Sequence, residues 1–150
     1  MREIKFRGKA VMSTDKLDVL GIEHKDGWVY GNLTTKENEP FIVGDIVEVT
    51  DEYIVHEFWV QVITETVGQY TGFKDDWDVD IYEYDIVKDP DGYLWVVLFE
   101  GGSWVLSGGK YDLKEDILEF VNWNEKGKKL DVLVVRNWFD SQELIEEQHG

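Results

Sequence analysis

The residues whose spacing comes nearest to metal chemistry are three acidic side chains in the middle of the chain. Asp76, Asp78 and Asp80 alternate as the first three ligands of an EF-hand calcium loop do. Such a loop also needs Gly at its sixth position and Glu at its twelfth, where this sequence has Ile81 and Val87. We therefore interpret the segment as an acidic solvated loop and predict no metal site, and the alternative is adventitious binding of a divalent cation.

No arrangement of nucleophile and base typical of catalysis is found. His24, His56 and His149 lack metal-ligand spacing, and His56 is interpreted as a hydrogen-bonded residue on the inner face of a strand. The chain has no Cys. Ser103 fails the Gly-x-Ser-x-Gly elbow because Val105 stands where Gly is needed. No Gly-rich phosphate loop is present either. We predict no catalytic residues, no cofactor and no enzymatic activity.

Charge and composition narrow the function classes further. The 150 residues carry a net charge of −17, with 32 acidic and 15 basic side chains. Such a surface repels nucleic acid, so we expect no direct nucleic-acid binding. The excess charge is interpreted as a means of keeping an aromatic-rich protein soluble, and the alternative is a surface that imitates nucleic acid or docks on a basic partner. With no cysteine, signal sequence or long apolar run, we expect a cytoplasmic protein that does not contact membranes.

The elements that must position these side chains are mostly strands. Alternating or continuous apolar runs predict strands at residues 3–9, 28–34, 41–49, 54–66, 93–99, 103–106 and 131–137. Residues 12–27 are interpreted as a loop. Helical spacing after Asp112 predicts a helix over residues 112–122, and a capping box at residues 140–143 predicts a short helix through about residue 147. The fold class is therefore mainly β with minor α.

A short internal repeat bears on the domain organisation. The tripeptide Asp-Ile-Val occurs at residues 45–47 and again at residues 85–87. Such a step is common at the first strand of small SH3-like barrels, so two copies are compatible with two related barrels. Coincidence of a common tripeptide is the alternative, and the sequence leaves both open.

The most distinctive pattern is a pair of β-prone runs around a turn-prone acidic connection. The first is Val-Gly-Gln-Tyr-Thr-Gly-Phe-Lys-Asp at residues 67–75, and the second is Ile-Tyr-Glu-Tyr-Asp-Ile-Val at residues 81–87. Together they resemble the central signature of the YopX family, small proteins found mostly in bacteriophages and prophages. Three further blocks are similar to the family pattern, at residues 2–9, 27–33 and 134–140.

The resemblance implies a fold and an organisation. It implies an SH3-like barrel in the central and C-terminal part, a short C-terminal helix, and N-terminal strands packing alongside. We accordingly expect an N-terminal β region at 1–66 and a barrel region at 67–150, or one continuous domain over 1–150. Tyr84 stands where relatives have Gly, and Trp77-Asp78 replaces an Asn-Gly turn, so we expect these positions to be built differently and the second connection to be a wider loop.

Aromatic side chains are the remaining candidates for function. An exposed Trp or Tyr can anchor a protein interface, and we select Trp77, Tyr82, Tyr84 and Trp138 as candidate partner-binding residues. The leading hypothesis is a non-enzymatic phage or prophage accessory protein that binds a host or phage protein or associates with itself. The alternatives are an acidic decoy of a nucleic-acid-binding protein and an uncharacterised hydrolase or carbohydrate-binding domain.

Overall fold

The computed structural model of the protein describes residues 3–124 and 129–149. The chain divides into two compact units, Met1–Gln69 and Tyr70–Gly150. Arg2, from the first block of the family resemblance, lies outside the described residues, as does the side chain of His149. Whether the units are separate domains or parts of one continuous domain stays a prediction.

The elements follow one another mainly as short strands. The first unit and its exit contain β1 Phe6–Lys9, α1 Thr14–Val19, β2 Trp28–Lys36, β3 Glu39–Val43, β4 Ile46–Val49, β5 Ile54–His56, β6 Trp59–Gln61, a 3-10 turn at Thr64–Thr66, and β7 Gly68–Lys74. The second unit contains β8 Asp80–Tyr82, β9 Asp85–Lys88, β10 Leu94–Glu100, β11 Ser103–Gly108, β12 Leu113–Asp116, a 3-10 turn at Ile117–Phe120, β13 Leu133–Asn137 and α2 Gln142–His149.

The first unit is built on an antiparallel sheet in the order β6-β3-β2-β1, and the first residues of β7 pair with β1. Alternation along the strands sends one set of apolar side chains inward. They form a core of Ala10, Leu17, Val29, Ile42, Val60 and Val62. Strands β4 and β5 form a separate two-stranded sheet. The strand predicted over residues 41–49 is thus present as two strands, β3 and β4, which are separated at Gly44 and Asp45.

Two predictions for the first unit are wrong in part. The loop expected over residues 12–27 contains α1, because the Ser13 hydroxyl accepts a hydrogen bond from the Lys16 amide and Leu17 packs fully into the core. The single strand expected over residues 54–66 is divided into β5, β6 and the 3-10 turn at Thr64–Thr66. The extended chain ends before this turn because the Thr66 amide and hydroxyl both bond to the Ile63 carbonyl. Val60 is buried, whereas Ile54 is exposed.

Two basic residues of β1 contact an aromatic ring in the first unit. Arg7 is buried, and its guanidinium carbon lies 5.1 Å from the centre of the Trp28 ring. The Lys9 ammonium lies 5.6 Å from the same centre. Contact with an aromatic face therefore contributes to stabilising both cations.

The second unit contains an antiparallel sheet in the order β12-β11-β10-β9-β13, and the later part of β7 pairs with β8. The strands predicted over residues 93–99 and 103–106 are confirmed as β10 and β11, and they form a hairpin whose turn glycines, Gly101 and Gly102, have positive φ, 59° and 80°. The core of this unit consists of Ile81, Val87, Trp95, Val97, Leu106, Ile117, Leu130 and Val132. The mainly β fold class and the short C-terminal helix are confirmed.

The helix predicted over residues 112–122 is wrong. Leu113–Asp116 instead form β12, because this segment pairs with β11 and extends the sheet. Asp112 has φ 52° and belongs to the preceding turn. Asp116, not Asp112, is the cap, since its carboxylate accepts a hydrogen bond from the Leu118 amide at 2.8 Å and opens the 3-10 turn. Sheet pairing outweighs the helical spacing of the apolar residues.

The expected barrel is not confirmed. Over the described residues, the ladder from β12 to β13 does not close on itself. The repeated Asp-Ile-Val step also lies in two different environments: every residue of β4 is exposed, whereas Asp85, Ile86 and Val87 are buried in the larger sheet. This contrast favours coincidence over two related barrels.

In the described part of the chain, neither α-helix has the length and apolar character required to cross a membrane.

Candidate functional site

Asp75 organises the connection between β7 and β8 in the second unit. Its side chain is only 1% exposed, yet it is ionisable. One carboxylate oxygen accepts hydrogen bonds from the amides of Trp77 at 2.8 Å and Val79 at 2.9 Å, and the other accepts one from the Val134 amide at 2.9 Å. Three backbone donors offset the cost of burying this carboxylate. The family-signature aspartate thus ties the connection to β13.

The same connection presents Trp77 to solvent. Trp77 is 77% exposed although the turn that carries it is closed by two backbone bonds, from Asp75 to the Val79 carbonyl and from Asp78 to the Asp75 carbonyl. Asp78 adopts φ 63°, so this position is left-handed although the residue is not Gly. The connection has five residues, wider than a two-residue turn as expected, but it is tightly held.

Lys129 links this turn to a second exposed tryptophan. The Lys129 ammonium lies 3.1 Å from an Asp78 carboxylate oxygen, and the Lys129 carbonyl accepts a hydrogen bond from the Asn122 amide at 2.9 Å. Trp77 is next to Asp78 in the sequence, and Trp123 is next to Asn122. Each tryptophan is therefore adjacent to a residue that bonds to Lys129. Trp123 is 78% exposed. We call Trp77, Trp123 and Lys129 the tryptophan surface.

The other predicted aromatic residues are less accessible. Tyr82 is buried, with its ring centre 5.6 Å from that of Tyr70. Its amide donates to the Asp85 carboxylate at 2.8 Å, so the second signature aspartate also serves a backbone turn. Trp138 is half-buried, and its amide donates to the Tyr84 carbonyl at 2.7 Å.

The expectation that the turn at Tyr84 is built differently is wrong. It adopts φ 72° and so keeps a left-handed conformation without Gly. The Tyr84 amide donates to the Val97 carbonyl at 2.7 Å, and its ring packs edge-on against Phe139 at 4.9 Å between centres. Burial raises the pKa of the Tyr84 phenol, and the charge and hydrogen bonding of Glu83 raise it further.

Two shallow depressions border the turn at Pro90 in the second unit. One has a volume of about 280 Å³, and its lining includes three acidic residues and one basic residue, Asp76, Asp89, Asp131 and Lys88. The other, of about 250 Å³, is lined by Asp91, Glu119 and neighbouring residues. Neither lining includes a Trp.

The alternating carboxylates do not converge as metal ligands. Asp80 is paired with the Lys74 ammonium and Asp78 with Lys129. Among the residues that the structure describes, no group of three His, Asp or Glu side chains is arranged to hold an ion. His24 and His56 instead bond to Asp18 and to the Gly44 carbonyl, respectively.

Sequence reasoning missed Trp123 as a candidate surface residue, because the predicted helix ended beside it. A usable signal was present, since Trp123 lies between Asn122 and Asn124 in a polar context similar to that of Trp77. The buried role of Asp75 was also missed, because a single acidic residue in an acidic loop does not differ from its neighbours in sequence.

In a comparison with known families, residues 22–146 match the family model described as YopX protein. No match was found among curated proteins.

Proposed function

The chain belongs to the YopX family, and on that premise we propose that it is a phage or prophage accessory protein that works by binding another protein, without catalysis. The proposal places it in the cytoplasm of the bacterial host. The binding surface is the tryptophan surface of the second unit.

The observation that carries the proposal is an exposed tryptophan on a rigid turn. Trp77 is 77% exposed, whereas the backbone beneath it is fixed by the buried Asp75 carboxylate. Trp is among the residues that contribute most to interface energies, since it brings a large contact area with few rotatable bonds. A turn that is already ordered reduces the entropic cost of binding.

The ion pair of Lys129 with Asp78 adds polar groups to the tryptophan surface. The exposed Trp77 and Trp123 indoles offer a partner apolar contact, and this ion pair offers polar contact, in a protein whose overall charge is strongly negative. Apolar centres with polar borders are typical of protein interfaces. A second copy of the chain is one candidate partner, and a host or phage protein is the other.

Affinity capture from a bacterial lysate tests the proposal, with chains carrying Trp77→Ala or Trp123→Ala compared with the unmodified chain. We expect both variants to lose the retained protein, with affinity lower by about 2 kcal/mol for an interface anchor. Tyr111→Ala is the matched control, since Tyr111 is 72% exposed on a different turn. Light scattering on the purified chain separates self-association from capture of another protein.

We expect the variants to remain folded, because truncating a side chain that is about three-quarters exposed alters the free energy of unfolding by only about 0.5 kcal/mol. A chain that stays monomeric and captures nothing would contradict the proposal. Equal capture by all four proteins would contradict the assignment of the tryptophan surface.

A further inference from the structure

Strands β4 and β5 form a distinct ribbon in the first unit. Strands β3 and β6 pair as far as Val43 opposite Trp59, and the chain between them continues as β4 and β5. We call residues 44–58 the ribbon. It is a two-stranded sheet whose strands pair only with each other among the strands that the structure describes. Isolated two-stranded ribbons are marginally stable in water, so an extra contact would stabilise this one.

The ribbon is apolar where a solvent-exposed strand pair is expected to be polar. All four residues of β4 are exposed. Val49 lies opposite Ile54 and they are 62% and 55% exposed, and Ile46, opposite His56, is 53% exposed. Since directly opposed residues lie on the same face, these aliphatic side chains form one contiguous apolar face. Such faces mark interaction sites in folded proteins.

The base of the ribbon is firmly held, so the apolar face is presented in a fixed way. The Gly44 amide donates to the Phe58 carbonyl at 3.0 Å, and the Glu57 amide donates to the Asp45 carbonyl at 2.7 Å. A Cβ at Gly44 would lie 2.8 Å from the Phe58 ring, which shows how closely the two chains pack there. The tip is closed as well, because the Thr50 amide bonds to the Tyr53 carbonyl and the Thr50 hydroxyl accepts from Tyr53.

The charge around the ribbon indicates which kind of partner it can bind. Between Lys36 and Lys74 the sequence contains eight acidic residues and no Lys or Arg. Within the ribbon itself, Asp51 and Glu52 lie at the tip and Glu48 lies opposite Val55 on the other face, so carboxylates border the apolar face. A second copy docking ribbon to ribbon would bring like charges together, which is unfavourable. A strand that alternates aliphatic and basic residues would satisfy both the apolar face and the acidic border.

We propose that the ribbon binds an extended, basic segment of another protein by strand addition along an edge of β4 or β5. Backbone hydrogen bonds to the edge would provide affinity, aliphatic side chains would cover Val49 and Ile54, and Lys or Arg would pair with the surrounding carboxylates. The inference rests on the proposed role in protein binding, but it concerns a different surface from the tryptophan surface.

Selection from a random-peptide display library tests the inference, with the full chain as bait. We expect enriched peptides to alternate β-branched or aliphatic residues with Lys or Arg, and to bind less tightly as salt concentration rises. The double variant Val49→Thr/Ile54→Thr keeps β-branched side chains and should bind these peptides about tenfold more weakly. Val19→Thr is the matched control, since Val19 is 86% exposed outside the ribbon.

Three results would overturn the inference. They are a library with no enriched basic peptides, equal binding by the double variant, and a dimer in light scattering that the double variant abolishes. Trp77→Ala should bind the selected peptides like the unmodified chain. If no basic peptides are enriched but Trp77→Ala still loses a protein retained from the lysate, the ribbon is excluded as a binding site and the tryptophan surface is not. If basic peptides are enriched but Trp77→Ala still retains the lysate protein, only the tryptophan surface is excluded.

Discussion

The Asp75 carboxylate accepts a hydrogen bond from the Val134 amide at 2.9 Å, across 59 positions of sequence. The other oxygen of the same carboxylate holds the turn that carries Trp77. One buried side chain therefore connects the C-terminal strand of the second unit to its most prominent exposed turn. A residue in the family signature thus has a structural role that requires no reactive chemistry.

Replacing Asp75 with Asn tests this role. The amide group of Asn has only one acceptor oxygen, so at least one of the three backbone donors loses its partner or faces an N–H group. We expect the free energy of unfolding, measured by urea denaturation, to fall by about 1–3 kcal/mol. Asp78→Asn is the control, since its carboxylate is largely exposed and Asn tolerates positive φ. Equal losses in the two variants would contradict the assignment.

Because Tyr84 adopts a left-handed conformation, we expect the Gly variant at this position to be more stable than the Ala variant, which is the reverse of the usual order. Tyr84→Gly and Tyr84→Ala both remove the ring that packs on Phe139, but only Gly relieves the strain of φ 72°. We expect the Gly variant to be more stable than the Ala variant by about 1 kcal/mol in thermal unfolding. At Glu83, where φ is not positive, Ala should be the more stable of the two. A Tyr84→Ala variant as stable as Tyr84→Gly would argue against strain at this position.

The raised pKa of Tyr84 predicts a loss of stability at alkaline pH. The folded protein holds the phenol proton more tightly than the unfolded chain, whose tyrosine pKa is 10.0. Above that pH the unfolded state therefore binds fewer protons, and the free energy of unfolding falls as pH rises toward the folded-state pKa. Tyr84→Phe should show a flatter decline above about pH 10 in urea titrations at several pH values. Parallel declines in the two proteins would contradict the raised pKa.

Substitutions at two glycines with positive φ distinguish the loss of stability caused by steric crowding from the loss caused by backbone strain. A Cβ at Gly109 would lie 2.3 Å from Cζ2 of the buried Trp95, whereas a Cβ at Gly101 meets nothing within 4 Å. Both residues are left-handed, with φ 72° and 59°, so Ala is strained at either position. We expect Gly109→Ala to be less stable than Gly101→Ala by about 1–3 kcal/mol in urea denaturation, because overpacking adds to the strain. Similar losses at the two sites would show that the Trp95 ring moves freely.

The fold class was predictable because strand signals are local. Alternation and β-branched runs located β2, β10 and β11, and Gly101-Gly102 located their hairpin. The helix predicted after Asp112 failed because its apolar spacing fits either a helix or a strand followed by a 3-10 turn, and pairing with β11 decided between them. Such pairing depends on residues distant in the sequence.

The candidate site was less predictable than the fold. The polar surroundings of Trp77 in sequence indicated an exposed side chain, and the structure agrees. Tyr82 has a similar acidic neighbourhood but is buried, because it follows the strand pairing that places Ile81 and Tyr82 inside. Exposure of an aromatic residue depends on tertiary packing, which composition does not encode.

We propose that the tryptophan surface contacts another protein, and photo-crosslinking in bacterial cells detects such a contact. A photoreactive phenylalanine derivative is placed at position 77, at position 123, or at the control position 111, each of which is an exposed aromatic residue. We predict a discrete crosslinked product from positions 77 and 123 and none from position 111. Absence of crosslinks at 77 and 123, or equal crosslinking at all three positions, would contradict the claim.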